Sequence, residues 1–255
     1  LGTIRQDLNI SIRGGAKIEI KGVQRLDLLA KIVKYEVMRQ VNLLKIKDEL
    51  ISRGVKEDDI VSEFYDVSHI FRHTKSKVIR RALSKGGVVL ALKLPKYAGL
   101  LGFEIQPSRR FGTELSDYAR FWGGVGGIFH TDELPAYGIS GEEVRKLKSE
   151  LSCNESDCIV LVADKEERSR DALEAVIKRA IMALYGVPEE TRGYNPDGTT
   201  HYSRPRPGAA RMYPETDIRP IRITIEWIKE ISEKLPEPLD VKLKKFVERC
   251  LLYTS

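Results

Sequence analysis

The chain has 255 residues, 42% of them hydrophobic and 31% charged, with a net charge of +6 at pH 7. That apolar content supports one large or two small folded domains and excludes a disordered chain, and no apolar run approaches a transmembrane span. The positive charge is mild and spread along the chain, compatible with a polyanionic partner without requiring one.

Three cysteines, Cys153, Cys158 and Cys250, are too few and too unevenly placed for a disulfide framework, which points to a reducing cytosol. Cys153-x4-Cys158 has no second ligand pair nearby to complete a zinc site. The first ten residues carry a strand pattern with an early Asp and no signal-peptide pattern. The chain enters that strand directly from Leu1, and its closing helix has nothing to pack on. Both features suggest an internal fragment.

Residues 2–24 alternate. Ile4, Leu8, Ile10 and Ile12 share one parity, with Gln6 the polar intruder, while Thr3, Arg5, Asp7, Asn9 and Ser11 share the other. Period two over this length predicts a half-buried strand. Arg13-Gly14-Gly15-Ala16 predicts a turn, and Ile18 and Ile20 alternate with Glu19 and Lys21 in a second strand. The resulting hairpin has one apolar face and one face carrying Arg5, Asp7, Asn9, Glu19 and Lys21. The pattern leaves two readings of that face open. It is a solvated face with cross-strand ion pairs, or a set of groups that bind phosphate, carboxylate or metal.

Asp27 to Leu50 predicts a long amphipathic helix, with Leu28, Leu29, Ile32, Val33, Val37, Val41, Leu44 and Ile46 inward and an intrahelical ion pair for Glu36. Gly54 to Asp66 is an acidic connection. Val67 to Lys85 is rich in bases, with a helix over 78–83 that Gly86-Gly87 ends. His69 and His73, four apart, lack an acidic partner for a metal site and read as part of a solvated basic surface. Val88 to Leu94 predicts a buried strand closed by Pro95. A Gly-rich hairpin or loop follows over 97–111, then a helix over 114–120. Gly123-Gly-Val-Gly-Gly127 lacks both Rossmann context and a P-loop Lys, and predicts a tight turn with close backbone approach.

His130, Asp132 and Glu133 share one loop but match no metal motif and have no nucleophile beside them. Ser140 and Glu143 form a capping box that starts a helix to about Leu151. A strand over 159–163 and a helix over 170–185 complete a compact α+β module from about Gly86 to Val187. Residues 193–208, rich in Pro, Gly, Asn and Asp, predict a domain crossing. A stiff, Arg-bearing segment follows through Asp217, then a short strand over 221–225, a helix over 226–235, a break at Pro236-x-Pro238 and a helix over 240–253.

Several of these strings resemble the tRNA-dependent amidotransferases. Gly2-Thr-Ile-Arg-Gln-Asp-Leu-Asn-Ile-Ser-Ile and Glu19-Ile-Lys-Gly-Val-Gln24 are similar to their cradle strands, and a Glu…Arg-Gln set like Glu36, Arg39 and Gln40 follows on the next helix. Leu90-Ala-Leu-Lys-Leu-Pro, Arg110-Phe-Gly-Thr-Glu-Leu-Ser, residues 127–139 and Val187-Pro-Glu-Glu-Thr-Arg192 are similar to the insertion found in the archaeal E-type subunits and absent from the B-type. Residues 204–217 resemble the return to the cradle, with Ser203 in place of a usual Met.

The resemblance implies an α+β fold: an antiparallel-sheet cradle interrupted by an inserted α+β domain similar to the insertion domain of aspartyl-tRNA synthetase, with the start of a helical domain at the C-terminus. The implied boundaries are 1–85 for the cradle part, 86–192 for the GAD-type insert, 193–235 for the return to the cradle and 236–255 for the start of a helical tRNA-binding domain. It implies ATP-dependent phosphorylation of the glutamyl group on tRNA(Gln), then amidation by ammonia from an asparaginase-like, D-type amidotransferase partner in the cytoplasm, with no membrane involved. Implied catalytic residues are Arg5, Asp7, Glu19, Lys21 and Arg211. Asn9 and Arg204 are implied for ATP, and Asp7, Glu19 and Glu215 for Mg²⁺. His130 is demoted to structure or tRNA contact. The fragment alone is expected to be inactive. The rival expectations are a non-catalytic tRNA-binding module and a scaffold that docks the D-type partner.

Overall fold

A computed structural model describes residues 4–205 and 223–249. The chain divides into two units, 1–206 and 207–255.

In the first unit, β1 (Gln6–Ile10) and β2 (Ile18–Val23) form the expected hairpin, with Asn9 opposite Glu19 and Ile10 opposite Ile18. The strand is shorter than its sequence pattern, and Ile4 lies exposed ahead of it. Ile10, Ile18, Ile20 and Val23 pack on Leu28 and Ile32 at the start of α1 (Leu29–Ser52). The inward stripe of α1 differs from the apolar one expected. Ile32, Glu36, Arg39, Gln40, Leu43, Ile46 and Leu50 are buried, while Val33 and Val41 are exposed. The buried period is therefore polar through its middle turns, where Glu114 and Glu190 reach it from far along the chain.

A second sheet has the order β3-β4-β8-β7. Its strands are β3 (Tyr65–Asp66), β4 (Val88–Leu94), β7 (Phe129–His130) and β8 (Cys158–Asp164), paired antiparallel throughout. Its central pair, Val88↔Asp164 to Leu94↔Cys158, explains the unbroken apolar runs of both strands, since each is covered on both faces. One face packs on α3 (Phe111–Gly123), α5 (Glu166–Tyr185) and the end of α1 through Leu90, Leu92, Leu115, Val160, Leu173 and Val176. The other carries α2 (Lys77–Ser84) and α4 (Gly141–Glu150) through Ile79, Val144 and Leu147. β5 (Glu104–Gln106) and β6 (Arg109–Arg110) make the small hairpin before α3. The close backbone approach expected of 123–127 is made by Gly123, the last residue of α3, while Gly124 and Gly126 stand in open space. A Cβ on Gly123 would stand 2.7 Å from the backbone of Ala172 on α5. The Ser140 hydroxyl accepts from the Glu143 N–H, and the Glu143 carboxylate accepts from the Ser140 N–H, closing the capping box.

The chain then returns to the first sheet. β9 (Glu190–Tyr194) lies beside β2 and β10 (Thr200–Pro205) beside β9, giving the order β1-β2-β9-β10. This sheet, expected from the resemblance as an antiparallel cradle, is therefore not wholly antiparallel: β2 and β9 run parallel, Glu19↔Thr191 and Ile20↔Arg192. A connection that traverses an entire second sheet leaves the direction of return free, whereas a short hairpin does not. β9 begins inside the stretch 86–192 read from sequence as the insert.

In the second unit, α6 (Ile225–Lys234) starts at Thr224, whose hydroxyl accepts from the Trp227 N–H, and Pro236 and Pro238 separate it from α7 (Leu239–Glu248). Ile225 is helical and not the end of a strand. No helix among the described residues is long and apolar enough to cross a membrane.

Candidate reaction face and the ion network beneath it

Residues paired across a sheet point to the same face, so the register fixes a row: Asn9 opposite Glu19, Glu19 opposite Thr191, Thr191 opposite Arg204. This row crosses all four strands and joins residues nearly the whole described unit apart. Two irregularities shape it. Between Tyr202 and Arg204 the register shifts at Ser203, so Arg204 joins the face of Glu19 while Tyr202 stays on the helix-covered side. Between Gln6 and Leu8 a second shift adds one residue on β2 at Lys21-Gly22, and the φ of +69° at Gly22 suits glycine.

Lys21 ties the row to β1. Its ammonium lies 2.7 Å from Asp7 Oδ2 and 2.7 Å from Glu19 Oε1. The other Asp7 oxygen accepts from the Gly22 N–H at 2.9 Å, and the Arg5 guanidinium lies over Gly22. The hydrogen bond from Lys21, then that from Gly22, hold the Asp7 carboxyl below its ordinary value. Asp7, then Glu19, raise Lys21 in turn. Thr191 Oγ1 donates to Glu19 Oε2, and Arg204 Nε is buried with no hydrogen-bond partner among the described residues. Asp7, Asn9, Glu19, Lys21 and Arg204 thus lie on one four-stranded sheet, with Arg5 just ahead of β1. Arg211 and Glu215, also implied for the site, lie outside the described residues.

Asp7 and Glu19 with the Asn9 amide offer hard oxygen donors of the kind Mg²⁺ takes. Lys21 already places a cation between the two carboxylates, and its side chain is 37% exposed, so it has room to turn outward. The residues present fit a divalent ion or a phosphate-bearing ligand on this face.

The opposite face meets α1, and there the sheet and the module are joined by buried charge. Glu36, Arg39, Glu114, Arg179, Glu190 and Arg192 are each 0–1% exposed. Arg39 donates to Glu36 at 2.8 Å, to both oxygens of Glu114 at 2.7 and 3.0 Å, and to Glu190. Arg179 donates to Glu114, and Arg192 to Glu190. Thr200 Oγ1 donates to Glu36 at 2.8 Å and accepts from Arg192 and Gln106, both at 2.9 Å. The Tyr118 hydroxyl donates to Glu190. Three carboxylates and three guanidiniums balance, which burial of this depth demands. Burial alone would lower Arg39, yet Glu114, Glu36 and Glu190 outweigh it and hold Arg39 well above its ordinary value. The Glu36–Arg39 pair was expected as an intrahelical contact. It is that, and also one edge of a network spanning α1, α3, α5, β9 and β10.

His130 is buried, with Nε2 at 3.1 Å from Glu133, and burial lowers its pKa despite Glu133 and Asp132. A ligand atom from each of His130, Asp132 and Cys158 lies within 4.8 Å of the others, a convergence the sequence reading missed. Both Asp132 oxygens accept backbone N–H groups, from Gly99 and Gly102, so this carboxylate anchors the preceding loop.

Comparison with known proteins shows what the chain is similar to. The chain is 61% identical over 255 residues, all of its own length, to the E-type subunit of the glutamyl-tRNA(Gln) amidotransferase of Pyrococcus horikoshii. It is 59% identical over 93% of its length to the same subunit of Methanopyrus kandleri, and 56% identical over 96% to that of Aeropyrum pernix. Over nearly all its length the chain is similar in sequence to E-type glutamyl-tRNA(Gln) amidotransferase subunits. It spans 37–40% of the length of these curated relatives. The GAD domain family matches residues 79–173, which run from α2 to the second turn of α5. Glu36, Arg39, Glu114, Glu190 and Arg192 all fall in strings that carried the resemblance from sequence, where their shared burial had no visible cause. Arg179, between Val176 and Ala183 in the buried period of α5, was the one legible sign of an internal charge.

Proposed function

We propose that this chain supplies one wall of the reaction site of an E-type subunit converting Glu-tRNA(Gln) to Gln-tRNA(Gln), and that the wall is the Asn9–Glu19–Thr191–Arg204 row with Arg5, Asp7 and Lys21 beside it. The observation that carries this reading is the row itself, which gathers cations and carboxylates from segments nearly 200 residues apart onto one sheet face. In this reading Arg5, Arg204 and Arg211 orient phosphoryl or carboxylate oxygens. Asn9 contributes to the ATP site. Asp7 and Glu19, with Glu215, hold Mg²⁺, which when bound neutralises charge on the phosphates. Lys21 stabilises charge developing on the activated glutamyl group. An asparaginase-like, D-type partner delivers ammonia.

The test uses the full-length protein together with its D-type partner. Asp7→Ala and Glu19→Ala are expected to abolish Gln-tRNA formation while leaving the salt-sensitive affinity for tRNA intact. Unchanged turnover in both variants would reject the row as a reaction surface and favour a module that only binds tRNA.

A further inference from the structure

We infer that the GAD-matched region carries a binding pocket for the phosphodiester backbone of RNA, built by α2, the end of β8 and the start of α5. This rests on tRNA being the substrate, as proposed above, and adds a second contact away from the sheet face.

The pocket has a volume of about 380 Å³. Val78, Arg81, Ala82 and Lys85 line one wall at the i, i+3, i+4 and i+7 spacing of a helix face. Asp164, Lys165 and Arg168 line the other, and Gly87 and Gly126 border it. The two walls are fixed together because Val88 pairs with Asp164 at the edge of the central strand pair. A Cβ on Gly87 would stand 2.7 Å from the Asp164 carbonyl, so the close approach needs glycine.

Four cations, Arg81, Lys85, Lys165 and Arg168, face one carboxylate, Asp164. None of the four side chains has an ion pair or hydrogen bond among the described residues, and all four are exposed. Some exposed bases are engaged, as Arg53 is by Glu49 and Arg170 by Glu166; what sets these four apart from others is that they line one concavity together. Four unengaged cations lining one concavity repel one another, and an incoming anion relieves that repulsion. Guanidinium and ammonium groups without an aromatic platform suit phosphates and not bases, so the contact positions RNA without reading its sequence.

The test measures binding of a tRNA(Gln) transcript to the full chain across a salt series. The triple variant Arg81→Gln/Lys85→Gln/Arg168→Gln is expected to bind at least about tenfold more weakly at low salt, with a salt slope shallower by about two to three units. The charge-retaining pair Arg81→Lys/Arg168→Lys is expected to bind as the parent does. It also keeps the test open if the triple variant folds poorly. Equal affinity and slope in parent and triple variant would overturn the pocket and leave the reaction-face reading standing. Failure of the parent chain to bind tRNA at any salt would overturn the pocket alone, since the reaction face is tested by turnover of the full-length protein. An equal loss in Lys34→Gln/Arg145→Gln/Lys146→Gln, which removes the same charge elsewhere, would also overturn the pocket. So would full displacement of tRNA by millimolar inorganic phosphate, which would mark a free-anion site.

Discussion

Arg39 and Glu114 meet side-on, Nε to Oε2 at 2.7 Å and Nη2 to Oε1 at 3.0 Å, although 75 residues separate them. One sits on the helix behind the hairpin and the other on a helix of the GAD-matched region. The bidentate geometry fixes the angle between α1 and α3, which apolar contacts alone would leave free to slide. Removing one partner leaves the others buried and unbalanced. Arg39→Ala is expected to cost ~3–5 kcal/mol of stability, read as a lowered midpoint in guanidinium unfolding. A loss under about 1 kcal/mol, typical of an exposed pair, would show that the network is open to water.

The same network sets an acid response. Burial would raise the Glu114 carboxyl, but Arg39, then Arg179 and Arg192, outweigh it and hold it well below 4.5. A carboxyl whose folded pKa lies below its unfolded value contributes stability that is present above the unfolded value and lost as pH falls through the folded one. Stability measured by guanidinium unfolding should therefore hold steady from neutral pH to about pH 5 and fall below it. Glu114→Gln should be less stable at neutral pH and show a shallower fall. A parallel acid profile in the variant would remove Glu114 as its source.

How much of this was legible follows from where each signal resides. Alternation in 4–12 and 17–21 gave the hairpin and its two faces, because a strand's period is local. The partner strands β9 and β10 were not legible from periodicity: a parallel return across a second sheet leaves no local mark, and only the resemblance of residues 204–217 to a cradle return suggested it. Val33 and Val41 misled, since hydrophobicity marks the inward face of a helix only when that face is apolar. Glu36 and Arg39 occupy it because Glu114, Glu190 and Arg192 arrive from far along the chain to neutralise them. The bulge at Ser203, which turns Arg204 toward Glu19, reads in sequence as ordinary alternation.

The two described cysteines should part in reactivity. Cys158 is fully buried on β8, and burial, then the Asp132 charge, push its thiol up to about 12. Only on the order of 10⁻⁴ of it is thiolate at pH 8, the form that alkylates. Cys153 is raised too, by burial and then Asp157, but it is only partly buried. Iodoacetamide should label Cys153 in the native chain and Cys158 only in denaturant, as peptide mass spectrometry would show. Native labelling of Cys158 at a matching rate would mean that β8 opens.

Gly22 links the hairpin's backbone to the chemistry of its face. With φ at +69° it sits where an L side chain costs about 1–2 kcal/mol. A Cβ there would lie 2.9 Å from the Arg5 guanidinium, the mobile end of a long side chain, so Arg5 would yield and the backbone would carry the strain. The extra residue at this bulge is also what lets the Gly22 N–H reach Asp7 while Lys21 spans Asp7 and Glu19. Gly22→Ala is therefore expected to lower stability by about 1–2 kcal/mol and to loosen Asp7. Gly22→Asn, which tolerates this conformation better, should lose less than Gly22→Ala. In the carboxylate NMR titration of Gly22→Ala, Asp7 should move up toward its ordinary 3.8. An alanine variant with parental stability and an unmoved Asp7 would show that the strand register here does not depend on a left-handed residue.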